Sequence, residues 1–397
     1  DFVPAKVGTV IGPSWSTHWF KVAAEVPGEW AGSEVHLVWD SGCEGMVFTN
    51  TGTAIQGLTG GDGHDRRVAC TVSKAATPGA VEYFVEVSCH GMFGVGNGGM
   101  IEPPDPDRTF TVATAELRRF NPSGAALRHK LQALHDLARA LPGSVISKQA
   151  LLAGNDVVNR FVRHEPSTWA ACEALCDGVL RSDAPRYGRG SVVAVGHCHI
   201  DLAWLWRYRT TRSKTARSWA TAVTMMDGDP SYTFVASQAQ QFAWLKADYP
   251  ELYGRVRDKV ATGQFIPVGG SWVEMDGQLP GGESVCRQLL YGQQFFEAEF
   301  GVKSTVFWLP DTFGYAPQLP QLLSHAGMSS FVSQKLSWSL VNKFPRTSFH
   351  WRGLDGSTVL AHFPPTDDYN CQATPGEFVK SMTNNKDVAK APLALML

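Results

Sequence analysis

The chain has 397 residues, more than one ordinary domain needs, so two or three domains are expected. Its 44% hydrophobic and 18% charged content excludes a disordered or fibrous chain. The net charge of −2, with both signs interspersed, gives no electrostatic reason for nucleic acid or an anionic membrane as partner, and no apolar run is long enough to span a bilayer.

No secretory signal is legible, although the chain begins at Asp1 rather than at Met. The cysteines Cys43, Cys70, Cys89, Cys172, Cys176, Cys198, Cys286 and Cys371 are spread thinly along the chain, which suits reduced thiols and a cytoplasmic home. Cys172 and Cys176 lie one helical turn apart and read as two buried small hydrophobes rather than a metal pair.

From Asp1 to about Val112 the pattern has period two. Val35, Leu37 and Trp39 alternate with polar neighbours, as do Val81, Tyr83, Val85 and Val87, which predicts an antiparallel β-sandwich. From Ala113 to about Tyr187 the period becomes helical, with Leu127, Leu131, Leu134 and Leu137, then Leu151, Val157 and Phe161, and this stretch reads as a helical connector. From Gly188 to the end, short apolar runs alternate with amphipathic segments. The strand candidates are Ser191–Val195, Tyr232–Ala236, Phe265–Val268, Thr305–Leu309, Ser330–Ser333 and Thr358–Phe363. Strand and helix in alternation argue for a parallel α/β barrel or wound sheet, with the chemistry at the carboxyl ends of the strands. Gly94-Val-Gly96-Asn-Gly-Gly99 formally fits a dinucleotide loop, but Pro103 and Pro104 follow where a helix would have to open, and we reject it.

Two segments carry chemistry. In the first, an apolar run ends at Gly196 and His197-Cys-His199-Ile-Asp201 follows at once. Imidazole and carboxylate two residues apart at a strand exit can aim at one divalent ion, although an isolated His-x-Asp is more often a hydrogen-bonded turn. In the second, Trp308-Leu-Pro-Asp311-Thr-Phe313-Gly-Tyr315 sets one carboxylate directly after another buried strand among aromatic rings. That acid needs a compensating cation, and the rings suit the apolar faces of a pyranose. Glu274 and Asp276 are further carboxylates, read as part of a rim loop. His325, His350 and His362 read as ordinary satisfied histidines.

These motifs, together with Ala203-Trp204, Gly269-Gly-Ser-Trp272-Val-Glu-Met-Asp276-Gly, Gln334-Lys-Leu-Ser-Trp338 and His362-Phe-Pro-Pro-Thr366, resemble glycoside hydrolase family 38, the class II α-mannosidases, and within it the cytosolic subgroup. The resemblance implies a (β/α)7-type barrel and a retaining hydrolysis of terminal α-mannosyl residues. It implies His199, Asp201 and Asp311 as ligands of a divalent metal (zinc or cobalt), with Asp311 also the nucleophile. It further implies Trp204 beneath the sugar, with Tyr369 and Asn370 on its hydroxyls and Phe313 in the same cleft. The implied substrate is a mannose-containing oligosaccharide, and the oligomeric state stays open.

The family's general acid, on a later strand, and its fourth metal ligand, a later His, find no match. The tail from Val388 to Leu397 is apolar and matches nothing expected, so the barrel reads as incomplete at its C-terminus and the activity of this chain as impaired. Two other classes stay in view: a mannosidase-derived sugar-binding or regulatory fragment without turnover, and a metal-dependent carbohydrate deacetylase.

Overall fold

A computed structural model describes residues 2–61, 63, 66–96, 102–181 and 190–397, which form two compact units. The latter half of Gly94–Gly99 and the expected boundary near residue 187 lie outside the described residues. Among the described residues no helix is long and apolar enough to cross a membrane.

The first unit comprises residues 1–120, 200–234 and 239–266. Its foundation is two antiparallel sheets. One has the strand order Thr17–Val26, Gly79–Ser88, Glu44–Thr49, Ala54–Leu58; the other has Ala69–Ser73, Val35–Asp40, Thr114–Arg119. Leu37, Trp39, Cys70, Val47, Val85, Val87 and Phe110 share one apolar core, as the period-two pattern demands. Thr114–Arg119 had been assigned to the helical connector. It pairs in register with Val35–Asp40, because Leu117 completes the apolar face there even though its neighbours are polar.

The same unit carries the helix Tyr208–Gly228, which lies against the four-stranded sheet. Gly57 permits the approach, since a Cβ there would sit 2.8 Å from the carbonyl oxygen of Arg217. Thr221 Oγ1 accepts a hydrogen bond from Gly57 N at 2.9 Å, and Thr224 Oγ1 donates to the carbonyl of Ile55 at 2.6 Å. A buried ion cluster pins the contact: Lys214 Nζ lies 2.7 Å from Glu44 Oε1 and Arg217 Nη2 lies 3.3 Å from Glu44 Oε2.

The second unit comprises residues 121–199, 235–238 and 267–397. Its helices Pro122–Ala140, Val145–Arg160 and Ser167–Leu180 pack round Leu127, Leu134, Ala150, Ala153, Val157 and the buried Cys172 and Cys176. The middle helix departs from the sequence reading. Leu151 and Phe161 are exposed, and the buried stripe is Ser147, Ala150, Ala153 and Val157. Small side chains there let the helices approach closely, which a count of large apolar residues overlooks.

The α/β part contains strands at all six expected places. Val306–Trp308, Ser330–Val332 and Thr358–His362 are parallel neighbours, with Ser348–Arg352 antiparallel at the edge. A second sheet has the order Gly196–His197, Phe234–Gln238, Phe265–Ser271. The third corrects the reading of the apolar tail: Leu393–Met396 is a strand, parallel to Ser191–Ala194 in the register Ser191↔Leu393 to Ala194↔Met396. Ala394 and Met396 are buried, so the tail's apolar character is that of an inward-facing strand. Among the described residues these sheets are separate and do not close into one continuous ladder.

Candidate metal centre

The strand Gly196–His197 delivers two histidines to different tasks. His197 turns inward, where its Nε2 accepts a hydrogen bond from Trp308 Nε1 at 3.2 Å. Burial, reinforced by the charge of His199, pushes its pKa down to about 3, so it stays neutral. His199 instead has a carboxylate on each side. Its Nδ1 lies 2.8 Å from Glu274 Oε2 and its Nε2 lies 3.4 Å from Asp311 Oδ2. The edge of its ring meets Tyr369, with centroids 5.8 Å apart.

Asp311 leaves the end of the strand Val306–Trp308 through Leu309 and Pro310. The turn beyond it is tied back by Thr312 Oγ1, which donates to the carbonyl of Met275 at 3.3 Å. Gly314, at φ 112°, occupies a conformation that a side chain would resist. The second oxygen of Asp311 forms an ion pair with Lys335. Of the rings that the sequence reading set around the acid (Trp308, Phe313 and Tyr315), only Phe313 lies against this lysine, which Trp338 and Tyr369 also approach. Its Nζ lies 4.5 Å from the Phe313 centroid, 3.5 Å from Trp338 and 5.5 Å from Tyr369. Trp308 is buried beneath the site, and Tyr315 donates its hydroxyl proton to the carbonyl of Thr312 at 3.0 Å.

Glu274 arrives from the loop after the strand Phe265–Ser271 and is almost wholly buried. Its Oε1 accepts a hydrogen bond from Ser237 Oγ, and its backbone N–H donates to Gln238 Oε1 at 3.1 Å. The carboxylate facing His199 is therefore held on its far side as well. Neither Glu274 nor Lys335 was singled out for a role at the metal from the sequence, because the partner of each lies far away along the chain.

The side chains fit a divalent cation. One donor atom from each of His199, Asp201 and Asp311 lies within 4.8 Å of the other two. The 3.4 Å between His199 Nε2 and Asp311 Oδ2 matches the ~3.3 Å edge between neighbouring ligands around zinc with bonds of ~2.0–2.1 Å. A carboxylate on the other nitrogen of a ligating histidine is the usual outer support of such a site.

The sugar-contact residues expected from the sequence are spread more widely. Trp204 belongs to the first unit, where it is 45% exposed and stands edge-on to Trp206 and Phe93. Phe313 is exposed and Tyr369 half-buried, both beside Lys335. Asn370 is exposed, and its backbone N–H donates to Asp368 Oδ1 at 2.8 Å.

A carboxylate and an imidazole that meet beyond two strand ends form a candidate site of the kind hydrolases use. Comparison with known proteins gives the class a family. Residues 189–397 match the N-terminal domain of the glycosyl hydrolases family 38, and residues 1–118 match the jelly roll domain of alpha-mannosidase. The chain belongs to glycosyl hydrolase family 38. It is similar to Alpha-mannosidase G of Dictyostelium discoideum, at 48% identity over 100% of this chain and 37% of the relative. Alpha-mannosidase 2C1 of Mus musculus is 45% identical over 98% of this chain and 37% of the relative. An alpha-mannosidase of Saccharomyces cerevisiae is 40% identical over 100% of this chain and 38% of the relative. The chain thus spans well under half the length of the curated relatives it matches.

Proposed function

We propose that this chain carries the nucleophile and metal-binding half of a retaining α-mannosidase acting on terminal α-D-mannosyl residues of oligosaccharides. The observation behind this reading is the convergence of His199 and Asp311, with donor atoms 3.4 Å apart. His199, Asp201 and Asp311 would hold the cation, either zinc or cobalt. When bound, it supplies Lewis acidity and a template for vicinal hydroxyls of the sugar.

Asp311 attacks the anomeric carbon. As its carboxylate oxygen bonds to that carbon, the bond to the leaving oxygen breaks and a second carboxylic acid, typically about 5 Å away, gives that oxygen a proton. Water then displaces the carboxylate and frees mannose with its configuration retained. Lys335 orients the carboxylate through an ion pair to one oxygen, while the other oxygen lies on the His199 side, where the cation would bind. Glu274 is a positioning residue that holds the imidazole of His199. Trp204, Phe313, Tyr369 and Asn370 are proposed to contact sugar. Eight cysteines outside any disulfide suit a cytoplasmic site of action.

A fluorinated α-mannosyl fluoride tests the nucleophile directly, because fluoride leaves without a proton and the label does not depend on the acid. With zinc or cobalt present, mass spectrometry should find one sugar on the peptide containing Asp311, and none in Asp311→Asn. Labelling elsewhere, or labelling of Asp311→Asn, would remove Asp311 from the role. On an aryl α-mannoside the same substitution should lower any turnover at least ~10³-fold.

A further inference from the structure

The four-stranded sheet of the first unit has an outer face that the helix Tyr208–Gly228 covers only in part. Cross-strand pairs share a face. Glu86 pairs with Trp19 and Met46, and Ser88 pairs with Thr17 and Glu44, whereas Val85 and Val87 enter the core. Glu44 is taken up by Lys214 and Arg217 of the helix. Glu86 is not: it is 7% exposed and makes no hydrogen bond or ion pair with any described residue, and its charge helps to raise the pKa of the Tyr249 phenol. Its carboxylate is not sealed off, so a donor entering from that side would meet a free acceptor.

Glu86 opens instead into a cavity of about 280 Å³, with Ser88, Thr210 and Ser213 on its walls and Arg209 at its exposed rim. His90, beside it, is already committed, with Nδ1 against the carbonyl of Gly91 and Nε2 near Arg217. Trp15 forms one wall and also bounds a second cavity of about 250 Å³ lined by Phe93, Trp204 and Trp206. The backbone of Trp15 has φ 70°, a conformation a tryptophan adopts only when its surroundings impose it. Its ring is fixed 5.4 Å from His90 and 5.9 Å from the guanidinium of Arg207.

An aromatic plane with an acceptor carboxylate and an arginine around it suits a neutral polyol; the hydroxyls of Ser88 and Ser213 are already engaged by Arg217. The carboxylate repels an anion, the arginine repels a cation, and a purely apolar ligand would leave Glu86 unsatisfied. We propose that this face is a carbohydrate-binding subsite, in which a mannosyl ring stacks on Trp15 and donates hydroxyls to Glu86. The choice of mannoside rests on the function proposed above; the choice of a sugar rests on the cavity.

The test uses the whole chain stripped of metal with EDTA, so that neither turnover nor the metal centre contributes to the signal. α-Linked mannotriose is titrated while tryptophan fluorescence and saturation-transfer NMR are recorded. Wild type and Asp311→Asn should bind alike, and Glu86→Gln and Trp15→Ala should each bind at least ~10-fold more weakly. Should Trp15→Ala fail to fold, the near-isosteric Glu86→Gln still decides. No binding by wild type at millimolar mannotriose, or unchanged affinity in a folded Glu86→Gln, overturns the subsite. Binding of maltotriose in preference to mannotriose, weakened by the same substitution, overturns the mannoside assignment while leaving Asp311 labelling as a separate question.

Discussion

His199 is held between two carboxylates of unequal duty. Asp311 faces His199 through one oxygen and Lys335 through the other, whereas Glu274 meets only the outer nitrogen and is itself fixed by Ser237 and Gln238. Glu274→Ala should therefore weaken cobalt binding by about 10–100-fold, read from visible cobalt absorption in a titration, with the fold intact by circular dichroism. An unchanged affinity would make Glu274 a structural carboxylate only. His199 and Asp311 were legible because each directly follows an apolar strand within a distinctive motif. Glu274 and Lys335 were not, since the sequence shows a charged residue in a loop but not which distant side chain it will face. The aromatic cluster shows the same limit. The sequence motifs and the family resemblance pointed to Phe313, Trp338 and Tyr369, and only packing revealed that they enclose a lysine.

Among the elements, the helix Tyr208–Gly228 depends on charges that have left water. Glu44, Lys214 and Arg217 are all buried, and removing the acid strands two cations. Glu44→Gln should cost about 3–5 kcal/mol in urea unfolding. A cost below about 1 kcal/mol would mean that solvent reaches the cluster. Period two exposed the sandwich and strand–helix alternation exposed the α/β region, because a buried face imposes its spacing on the chain. Among the strands that escaped, two did so for opposite reasons. Thr114–Arg119 is too polar to look like a strand, and Leu393–Met396 is too uniformly apolar to show a period. In the helix Val145–Arg160, close packing needed small residues where large ones were sought.

At the scale of the molecule, acid is the expected weakness. His90 in the first unit and His362 in the second are both pushed down to about 4 by burial. His362 is used as a neutral ring: its Nε2 accepts from Leu395 N at 3.1 Å and its Nδ1 faces Ser348 Oγ at 2.8 Å. Unfolded histidine takes up its proton near pH 6.5, so below that point the unfolded chain binds more protons than the folded one. Stability should be full above about pH 6.5 and decline as the pH falls towards about 4. Differential scanning calorimetry across that window should show Tm falling with pH, and His362→Gln should flatten the decline. A Tm independent of pH between those limits would mean that both rings are accessible to protons in the native state.

The pairing of Ser191–Ala194 with Leu393–Met396 has a consequence for synthesis. A ribosome makes the first of these strands long before the second. Until the later stretch emerges, the nascent chain displays an apolar strand whose ladder partner does not yet exist, with bare N–H and C=O groups along that edge. This region cannot grow outward from its opening strand as it is translated. It must wait until Leu393–Met396 has been made.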